Sequence, residues 1–308
     1  MQDQATNQPI GIPGVPWGAG EKDAWRTRQR KQRDYRDDVV ARIDRLRGRF
    51  EVIEYGVLEY GADGNFPLLA LRSRDWDDHR PTMLVTGGVH GYETSGVHGA
   101  LLFAQAHADA YAGRANLLLA PCVSPWGYER IQRWNPLALD PNRSFHADSP
   151  AAESAALFAL VRPLRGKVMV HIDLHETTDS DESEFRPALA ARDGKPHEPG
   201  SVPDGFYLVD DVHKPQPAFQ QAIIAAVASL THIAPADADG TIIGSPVVAP
   251  GVIEYPVGPL GLCAGISGAR YTTTTEVYPD SRRANPEQCN LAQATAVIAA
   301  IDYALQHR

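Results

Sequence analysis

A histidine and a glutamate three residues apart form the clearest chemical pattern in this sequence. His90 and Glu93 follow the largely apolar run 82–86 and a pair of glycines. A buried strand that runs into a tight turn would bring both side chains to the same side of the backbone. Imidazole and carboxylate groups placed in that way are ligands that zinc accepts. The pair therefore predicts the first half of a metal site.

A second apolar strand supplies a third candidate ligand. His175 directly follows residues 168–174, a run that is typical of a buried strand. With His90 and Glu93 it completes a set of two histidines and one carboxylate, which in catalytic zinc sites leaves a fourth position open to water. A zinc ion bound in this way lowers the pKa of its water and polarises a carbonyl. His171 alternates with apolar neighbours on the same strand, so we expect it to pack in the core.

Charged and amide side chains cluster in residues 127–145. Guanidinium groups bind carboxylates through paired hydrogen bonds, so Asn142 and Arg143 together predict an anion-binding clamp. Arg133 could donate to the oxyanion that forms when water attacks a carbonyl. Asp140 could accept the free ring N–H of a zinc-binding histidine and fix its tautomer. Taken singly, each charged residue of this segment is more typical of a surface salt bridge.

A glutamate near the end of a predicted strand is the candidate general base. Residues 270–278 contain a run of threonines that favours a strand, and Glu276 lies near its end. A carboxylate beside a metal-activated water commonly takes the proton in zinc hydrolases. A glutamate that simply faces solvent at the end of a strand is the other interpretation of this position.

Taken in order, these motifs resemble those of the zinc metallocarboxypeptidases of the carboxypeptidase A type. The motifs that carry the resemblance are His90-x-x-Glu93, Arg133-x-Asn135, Asp140-x-Asn142-Arg143, His175 and Thr274-x-Glu276. The similar region covers roughly residues 50–305.

The resemblance implies a role for each of these residues. It implies one zinc ion, bound by His90, Glu93 and His175. It also implies Glu276 as general base, Arg133 at the oxyanion, Asn142 and Arg143 on the substrate's terminal carboxylate, Asp140 behind a metal ligand, and Tyr255 as the tyrosine that caps the substrate.

The substrate stays open at this point. The short spacing from Arg143 to His175 is similar to that in the related succinylglutamate desuccinylase and aspartoacylase branch, which cleaves N-acyl amino acids. The segment after His175 is also unusually acidic. The leading hypothesis is an exopeptidase that removes a C-terminal residue. The alternatives are an N-acyl-amino-acid amidohydrolase and a non-catalytic carboxylate-binding protein on the same fold. In both enzyme hypotheses the substrate is a peptide or N-acyl amino acid with a free carboxylate.

The elements around these residues alternate between strands and helices. We expect a hairpin over residues 50–72, then strands and helices in turn, and a closing helix near 286–305. This alternation predicts an α/β fold with a mixed, mainly parallel central sheet and helices on both faces. The resemblance implies the same fold. Ligands bind such sheets at the carboxyl ends of the strands, where His90 and His175 fall.

The remaining segments are expected to be less regular or peripheral. Residues 1–20 are rich in proline and glycine and predict an irregular arm, followed by a helix over residues 21–47. We therefore divide the chain into an N-terminal arm and helix, 1–48, and a catalytic domain, 49–308. Residues 176–205 predict a long surface loop, and 240–268 form a glycine- and proline-rich segment in which Tyr255 is expected to lie in a loop.

Composition excludes several classes of partner. The chain of 308 residues has a net charge of −9, which argues against binding to nucleic acid or to an anionic membrane surface. Its three cysteines cannot all pair with one another and favour a reducing compartment. The N-terminal residues lack the apolar core of a signal peptide, and no window is long enough to cross a bilayer. The sequence therefore predicts a cytoplasmic protein.

Overall fold

The strands that carry the candidate ligands belong to one central sheet. A computed structural model describes residues 9–307 of the chain. Within these residues the strands are β1 (Phe50–Glu59), β2 (Asn65–Ser73), β3 (Thr82–Gly87), β4 (Asn116–Ala120), β5 (Val168–Glu176), β6 (Tyr207–Asp211), β7 (Thr241–Ile242), β8 (Ser245–Pro246), β9 (Val252–Tyr255) and β10 (Tyr271–Val277). The α-helices of the same range are α1 (Ala19–Arg28), α2 (Ala41–Asp44), α3 (Thr94–Ala106), α4 (Pro125–Arg130), α5 (Ala152–Val161), α6 (Arg186–Arg192), α7 (Pro217–Val227) and α8 (Pro286–Gln306).

Eight strands form the central sheet in the order β1-β2-β4-β3-β5-β10-β6-β9, whereas β7 and β8 form a separate hairpin. Strands β4, β3, β5 and β10 are parallel to one another, and β9 is parallel to β6. The pairs β1–β2, β2–β4 and β6–β10 are antiparallel. The prediction of a mixed, mainly parallel α/β sheet is therefore confirmed, and the predicted hairpin forms one edge of it.

Helices cover both faces of this sheet. Met83 and Val85 of β3 belong to the apolar cluster that also contains side chains of α3, α7 and α8, whereas Leu84 belongs to the cluster that contains side chains of α5. Every residue of β3 and β4 is buried. Strands covered on both faces have apolar residues at successive positions, which explains the continuous apolar runs in the sequence. No helix within residues 9–307 combines the length and the hydropathy needed to cross a bilayer.

The predicted continuous helix over residues 21–47 is wrong. Helix α1 ends at Arg28, and helical structure resumes with a π-helical turn, Arg36–Val40, that leads into α2. Between them the backbone N–H groups of Gln32 and Arg33 donate to the carbonyl of Glu129, at 2.8 and 3.2 Å. These tertiary hydrogen bonds replace the bonds that a continuous helix would make, so the helix is interrupted.

The N-terminal arm packs against the body of the protein. Residues 1–8 of the predicted irregular arm lie outside the described residues, and residues 9–18 are irregular. The backbone N–H of Trp17 donates to the carbonyl of Arg192, the last residue of α6, at 2.8 Å. Trp17 and Trp25 are buried in the same cluster as the side chains of α3. The division into 1–48 and 49–308 stays a prediction.

Two segments that the sequence assigned to loops contain regular structure. The prediction of a long surface loop over residues 176–205 is wrong, because a π-helical turn (Asp181–Phe185) and α6 lie there and Thr177 and Asp181 are buried. The segment 240–268 contains β7, β8 and β9. Tyr255 therefore ends an edge strand of the main sheet and does not lie in a loop. In both segments local periodicity was absent because the regular pieces are short.

Candidate active site

The turn between β3 and α3 presents His90 and Glu93. Gly88 has φ +59°, a conformation that favours glycine. Gly91 has no room for a side chain, since an added Cβ would lie 2.1 Å from the carbonyl carbon of Gly127. The backbone N–H of Glu93 donates to the carbonyl of His90 at 3.3 Å. Glycine at position 88 permits the turn, and glycine at position 91 lets the turn pack directly against the backbone of Gly127.

His175 joins this pair from the end of β5. The Nδ1 atoms of His90 and His175 each lie 2.7 Å from a different carboxylate oxygen of Glu93. All three side chains are buried, and their ligand atoms lie within 4.8 Å of one another. Within residues 9–307 the Oε2 atom of Glu93 has no well-aligned hydrogen-bond donor, although it lies 2.7 Å from His175 Nδ1. A buried carboxylate between two imidazole nitrogens, with a lone pair unused on one oxygen, fits a metal ion.

The opposite nitrogen of each imidazole is held by a carboxylate. His90 Nε2 lies 3.0 Å from Asp140 Oδ1, and His175 Nε2 lies 2.7 Å from Asp173 Oδ2. A carboxylate that accepts the Nε2–H of a histidine leaves Nδ1 with its lone pair free for a metal. The donor set and its carboxylate supports therefore both fit zinc, and Asp140 lies where the sequence predicted.

Charge at the cluster is strongly stabilised. Burial raises the pKa of Glu93, but the neighbouring imidazoles of His175 and His90 outweigh it and hold that pKa at about 2. Burial lowers the pKa of His175, but the carboxylates of Glu93 and Asp173 outweigh it and hold that pKa well above its usual value. The cluster thus stabilises a positive charge next to Glu93, which is the polarity that a divalent cation requires.

Glu276 lies beside the ligand cluster on the neighbouring strand. It is the Cα partner of His175 in the parallel pairing of β10 with β5. Its Oε2 atom accepts a hydrogen bond from Thr177 Oγ1 at 2.9 Å. Burial raises the pKa of Glu276 to about 8; the nearby His175 lowers it and Glu93 raises it further. A cation at the ligand cluster would favour the carboxylate form and so lower this pKa.

Arg133 is held against Asp140 on the opposite side of the cluster. Its Nε donates to Asp140 Oδ2 at 3.1 Å, and its Nη1 donates to the hydroxyl of Tyr92 at 3.1 Å. The guanidinium carbon lies 4.3 Å from the centroid of the Phe185 ring. Burial lowers the pKa of Arg133, but Asp140 and the neighbouring acidic groups outweigh it and keep the side chain charged. Tyr92, which lies between the two candidate ligands in the sequence, is therefore a hydrogen-bond partner of Arg133.

Asn142 and Arg143 differ in how their side chains are used. Asn142 is buried; its Oδ1 accepts from the backbone N–H of Cys263 at 2.7 Å, and its Nδ2 lies 3.3 Å from His175 Nε2. Arg143 is exposed to the cavity, and its Nη1 donates to the carbonyl of Asn142 at 2.7 Å. Within residues 9–307 Arg143 makes no ion pair, so its charge is free for an anionic ligand.

A cavity of about 240 Å³ connects these residues. Eight of the nine predicted site residues line it: His90, Glu93, Arg133, Asn142, Arg143, His175, Tyr255 and Glu276. Asp140 does not line it but lies behind His90 and Arg133. The structure therefore brings together all the residues singled out in the sequence.

Sequence reasoning missed two acidic residues at this site. Asp173 supports His175, and its period-two spacing with His171 and His175 on one apolar strand is a signal that could have revealed it. Asp181 lines the cavity and contacts Tyr92 and Arg133, but no local pattern distinguishes it from the other acidic residues of its segment. His171 packs in the core as predicted, with Thr86 and Ser267 as polar neighbours.

No family model matches the sequence, and no curated protein matches it. Solved structures do. A candidate metallopeptidase from Shewanella amazonensis SB2B is similar with a TM-score of 0.65 and 22% identity, over 86% of this chain and 90% of that chain. A metallo-carboxypeptidase from Burkholderia cenocepacia has a TM-score of 0.57 at 14% identity, over 87% of this chain and 68% of the other.

A metallo-carboxypeptidase from Pseudomonas aeruginosa, solved in complex with (2-guanidinoethylmercapto)succinic acid, has a TM-score of 0.54 at 16% identity, over 86% of this chain and 68% of the other. The chain has the metallo-carboxypeptidase fold. The resemblance in fold that the sequence motifs implied is therefore confirmed. On this metallo-carboxypeptidase fold, the His90, Glu93 and His175 cluster lies at the carboxyl ends of the parallel strands, where ligands of α/β sheets bind.

Proposed function

We propose that the protein is a zinc-dependent metallocarboxypeptidase that hydrolyses a C-terminal peptide bond. The observation that carries this proposal is a cavity that joins a metal-ligand cluster to the guanidinium of Arg143, which makes no ion pair within residues 9–307. A cation site and a carboxylate site side by side suit a substrate whose scissile bond lies close to its terminal carboxylate. We propose His90, Glu93 and His175 as the ligands of one zinc ion.

Substrate binding is assigned to the wall that contains Arg143. Its guanidinium would form paired hydrogen bonds with the terminal carboxylate of the substrate. The amide of Asn142 has a second N–H that could donate to the same carboxylate. Tyr255, at the end of β9, lines the cavity and is proposed as the residue that covers the bound substrate.

The chemistry is assigned to Arg133 and Glu276. Zinc, when bound, supplies Lewis acidity that polarises the scissile carbonyl and lowers the pKa of water. Glu276 would take the proton from the attacking water and pass it to the leaving nitrogen. Arg133 would donate to the carbonyl oxygen as negative charge develops on it. Asp140 accepts from Arg133 Nε and faces His90 Nε2, so it would orient both groups.

The organisation and location of the protein are proposed on separate grounds. We propose residues 1–48 as an N-terminal arm and helix and residues 49–308 as the catalytic domain, onto which the described residues 9–48 pack. We also propose a cytoplasmic location. Support for that location comes from Cys122, Cys263 and Cys289, which are all free and buried, as is usual for a reducing compartment.

A substrate panel tests the proposed function. N-blocked dipeptides with different C-terminal residues and a series of N-acyl amino acids are incubated with the protein, with and without a chelator. We expect release of C-terminal residues that stops on chelation and returns with zinc. Release of acyl groups alone would favour the amidohydrolase alternative. Zinc binding with no hydrolysis of any substrate would favour the non-catalytic alternative, and hydrolysis that is indifferent to chelation would refute the metal-dependent mechanism.

A further inference from the structure

Asp181 lies in the acidic segment that follows His175, and it lines the cavity. We propose that Asp181 is a positioning residue, which holds Arg133 in the orientation that the reaction requires. The inference rests on the proposed function, because it assigns Arg133 a role at the substrate carbonyl. It concerns how that role depends on a carboxylate that does not belong to the cluster of His90, Glu93 and His175.

Asp181 makes three short contacts with neighbouring groups. Its Oδ1 accepts a hydrogen bond from the hydroxyl of Tyr92 at 2.7 Å and lies 3.4 Å from Arg133 Nη1. Its Oδ2 accepts from the backbone N–H of Thr178 at 2.8 Å. The residue is 7% exposed, so these contacts are sheltered from water. Asp181, Tyr92 and Arg133 therefore form a closed triangle of hydrogen-bonding groups.

The guanidinium of Arg133 is consequently held at two of its three nitrogens. Asp140 accepts from Nε, and Tyr92 with Asp181 accepts from Nη1. Within residues 9–307 the Nη2 atom has no hydrogen-bond partner. Because a guanidinium is planar and rigid, two fixed nitrogens determine where the third one points. The atom left over is the one available to a substrate carbonyl in the cavity.

The positive charge of Arg133 explains why a second carboxylate lies beside it. The side chain of Arg133 is only 16% exposed, and a largely buried cation is costly unless it is paired. Asp140 serves both Arg133 and His90, so it compensates two groups at once. Asp181 adds a carboxylate that faces Arg133, and its other oxygen is fixed by the backbone of Thr178.

Other acidic side chains of the same segment have partners elsewhere. Glu176 accepts from the backbone N–H of Ser95 at the start of α3, at 2.6 Å. Asp179 accepts from the hydroxyl of Tyr278, and Glu182 pairs with Arg186. Each of these three acidic side chains therefore has a partner other than Arg133. Asp181 differs from them because its partner is Arg133.

The variant Asp181→Asn tests this inference. Asparagine keeps the shape and can still accept from Thr178, but it removes the charge that faces Arg133. We expect kcat to fall roughly 10- to 100-fold, as for a misoriented catalytic group, with KM changed less than about twofold. In the Arg133→Ala background the same substitution should cause no further loss of kcat. Asp179→Asn, which removes a charge from the same segment outside the cavity, should leave kcat unchanged.

Three results would overturn the inference. If the reduction in kcat of the double variant equals the product of the reductions in the two single variants, Asp181 acts independently of Arg133. A rise in KM alone, or a loss confined to substrates with a basic C-terminal residue, would mean that Asp181 binds substrate directly. A crystal structure of the Asp181→Asn protein adds a readout that needs no turnover, since Arg133 should leave its position between Asp140 and Tyr92. If the native protein hydrolyses nothing, the proposed function fails, whereas the position of Arg133 still decides this inference.

Discussion

Glu276 and His175 are register partners on the adjacent parallel strands β10 and β5. Their separation is therefore set by the spacing of strands within a sheet, about 4.8 Å between backbones, and not by a loop. The candidate base and one candidate ligand therefore lie on two strands that are hydrogen-bonded directly to each other. A shift of one residue in this pairing would move Glu276 to the opposite face of the sheet.

Replacing Glu276 by glutamine tests it as the base. We expect Glu276→Gln to lower kcat/KM by about 10²- to 10⁴-fold, because the amide cannot accept the proton from water. Zinc content, measured on the same preparation, should be unchanged. The matched control is Glu254→Gln on β9, which removes a carboxylate that does not line the cavity and should leave kcat/KM at the native value. Hydrolysis by Glu276→Gln at the native rate would exclude Glu276 as the base.

Metal binding should be accompanied by release of a proton. The carboxylates of Glu93 and Asp173 outweigh the effect of burial and raise the pKa of His175, so without metal its imidazole carries a proton at neutral pH. A metal ligand must be deprotonated, so binding displaces that proton. Calorimetric zinc titrations in buffers of different ionisation enthalpy measure the number released, which we expect to be about one per site. Glu93→Gln should weaken zinc binding strongly, and unaltered affinity in that variant would refute the ligand assignment.

Arg143 and Arg133 should affect different kinetic constants. Arg143→Ala removes a contact made with the bound substrate, so KM should rise about 10- to 100-fold with little change in kcat. Arg133→Ala removes a contact that strengthens as charge develops, so kcat should fall instead. A peptide with an amidated C-terminus serves as the matched control, because it lacks the carboxylate that Arg143 would bind. The native protein should hydrolyse this peptide as poorly as Arg143→Ala hydrolyses the peptide with a free C-terminal carboxylate. An equal rise in KM for both variants would contradict this division.

Acid should destabilise the fold through His171. Burial lowers the pKa of His171 to about 4, whereas a histidine in the unfolded chain titrates near 6.5. Its contribution to stability is therefore complete above pH 6.5 and is lost as the pH falls towards 4, at about 1.4 kcal/mol per pH unit. Urea unfolding between pH 7.5 and 5, with chelator present, measures this slope.

The variant His171→Asn isolates this contribution. The free energy of unfolding of this variant should fall less steeply with acid than that of the native protein. The difference in slope should be about 1.4 kcal/mol per pH unit, which corresponds to the uptake of one proton. His79→Asn replaces an exposed histidine and should keep the native slope. Equal slopes for His171→Asn and the native protein would show that His171 is not the group that takes up the proton.

The fold and the ligand cluster could be predicted from sequence because both depend on local patterns. Apolar runs reveal strands that are buried on both faces, and His90, Glu93 and His175 follow such runs directly. Once parallel strands are inferred, their carboxyl ends must meet at one edge of the sheet. Glu276 could be assigned for the same reason, since it lies near the end of the strand that pairs with β5.

The remaining features depend on tertiary contacts that leave no local pattern. The helix predicted over residues 21–47 is interrupted because Gln32 and Arg33 bond to Glu129, which lies far away in sequence. Residues 176–205 resembled a surface loop because they contain many charged residues, prolines and glycines and little periodicity, yet Asp181 is buried and contacts Tyr92 and Arg133. In both cases the composition of the segment was seen correctly, but the partners of its polar groups lay elsewhere in the chain.

The hydrogen bond from Trp17 to the carbonyl of Arg192 links the N-terminal arm to the last residue of α6. The first residue of that helix, Arg186, and the preceding Phe185 belong to the cavity wall. Opening of this wall would therefore require detachment of the arm, or bending between Arg186 and Arg192. In the first case the amide proton of Trp17 would become exposed to exchange with solvent whenever the wall opens. That single amide would then serve as a reporter, by hydrogen–deuterium exchange, of how often the cavity is accessible to a peptide.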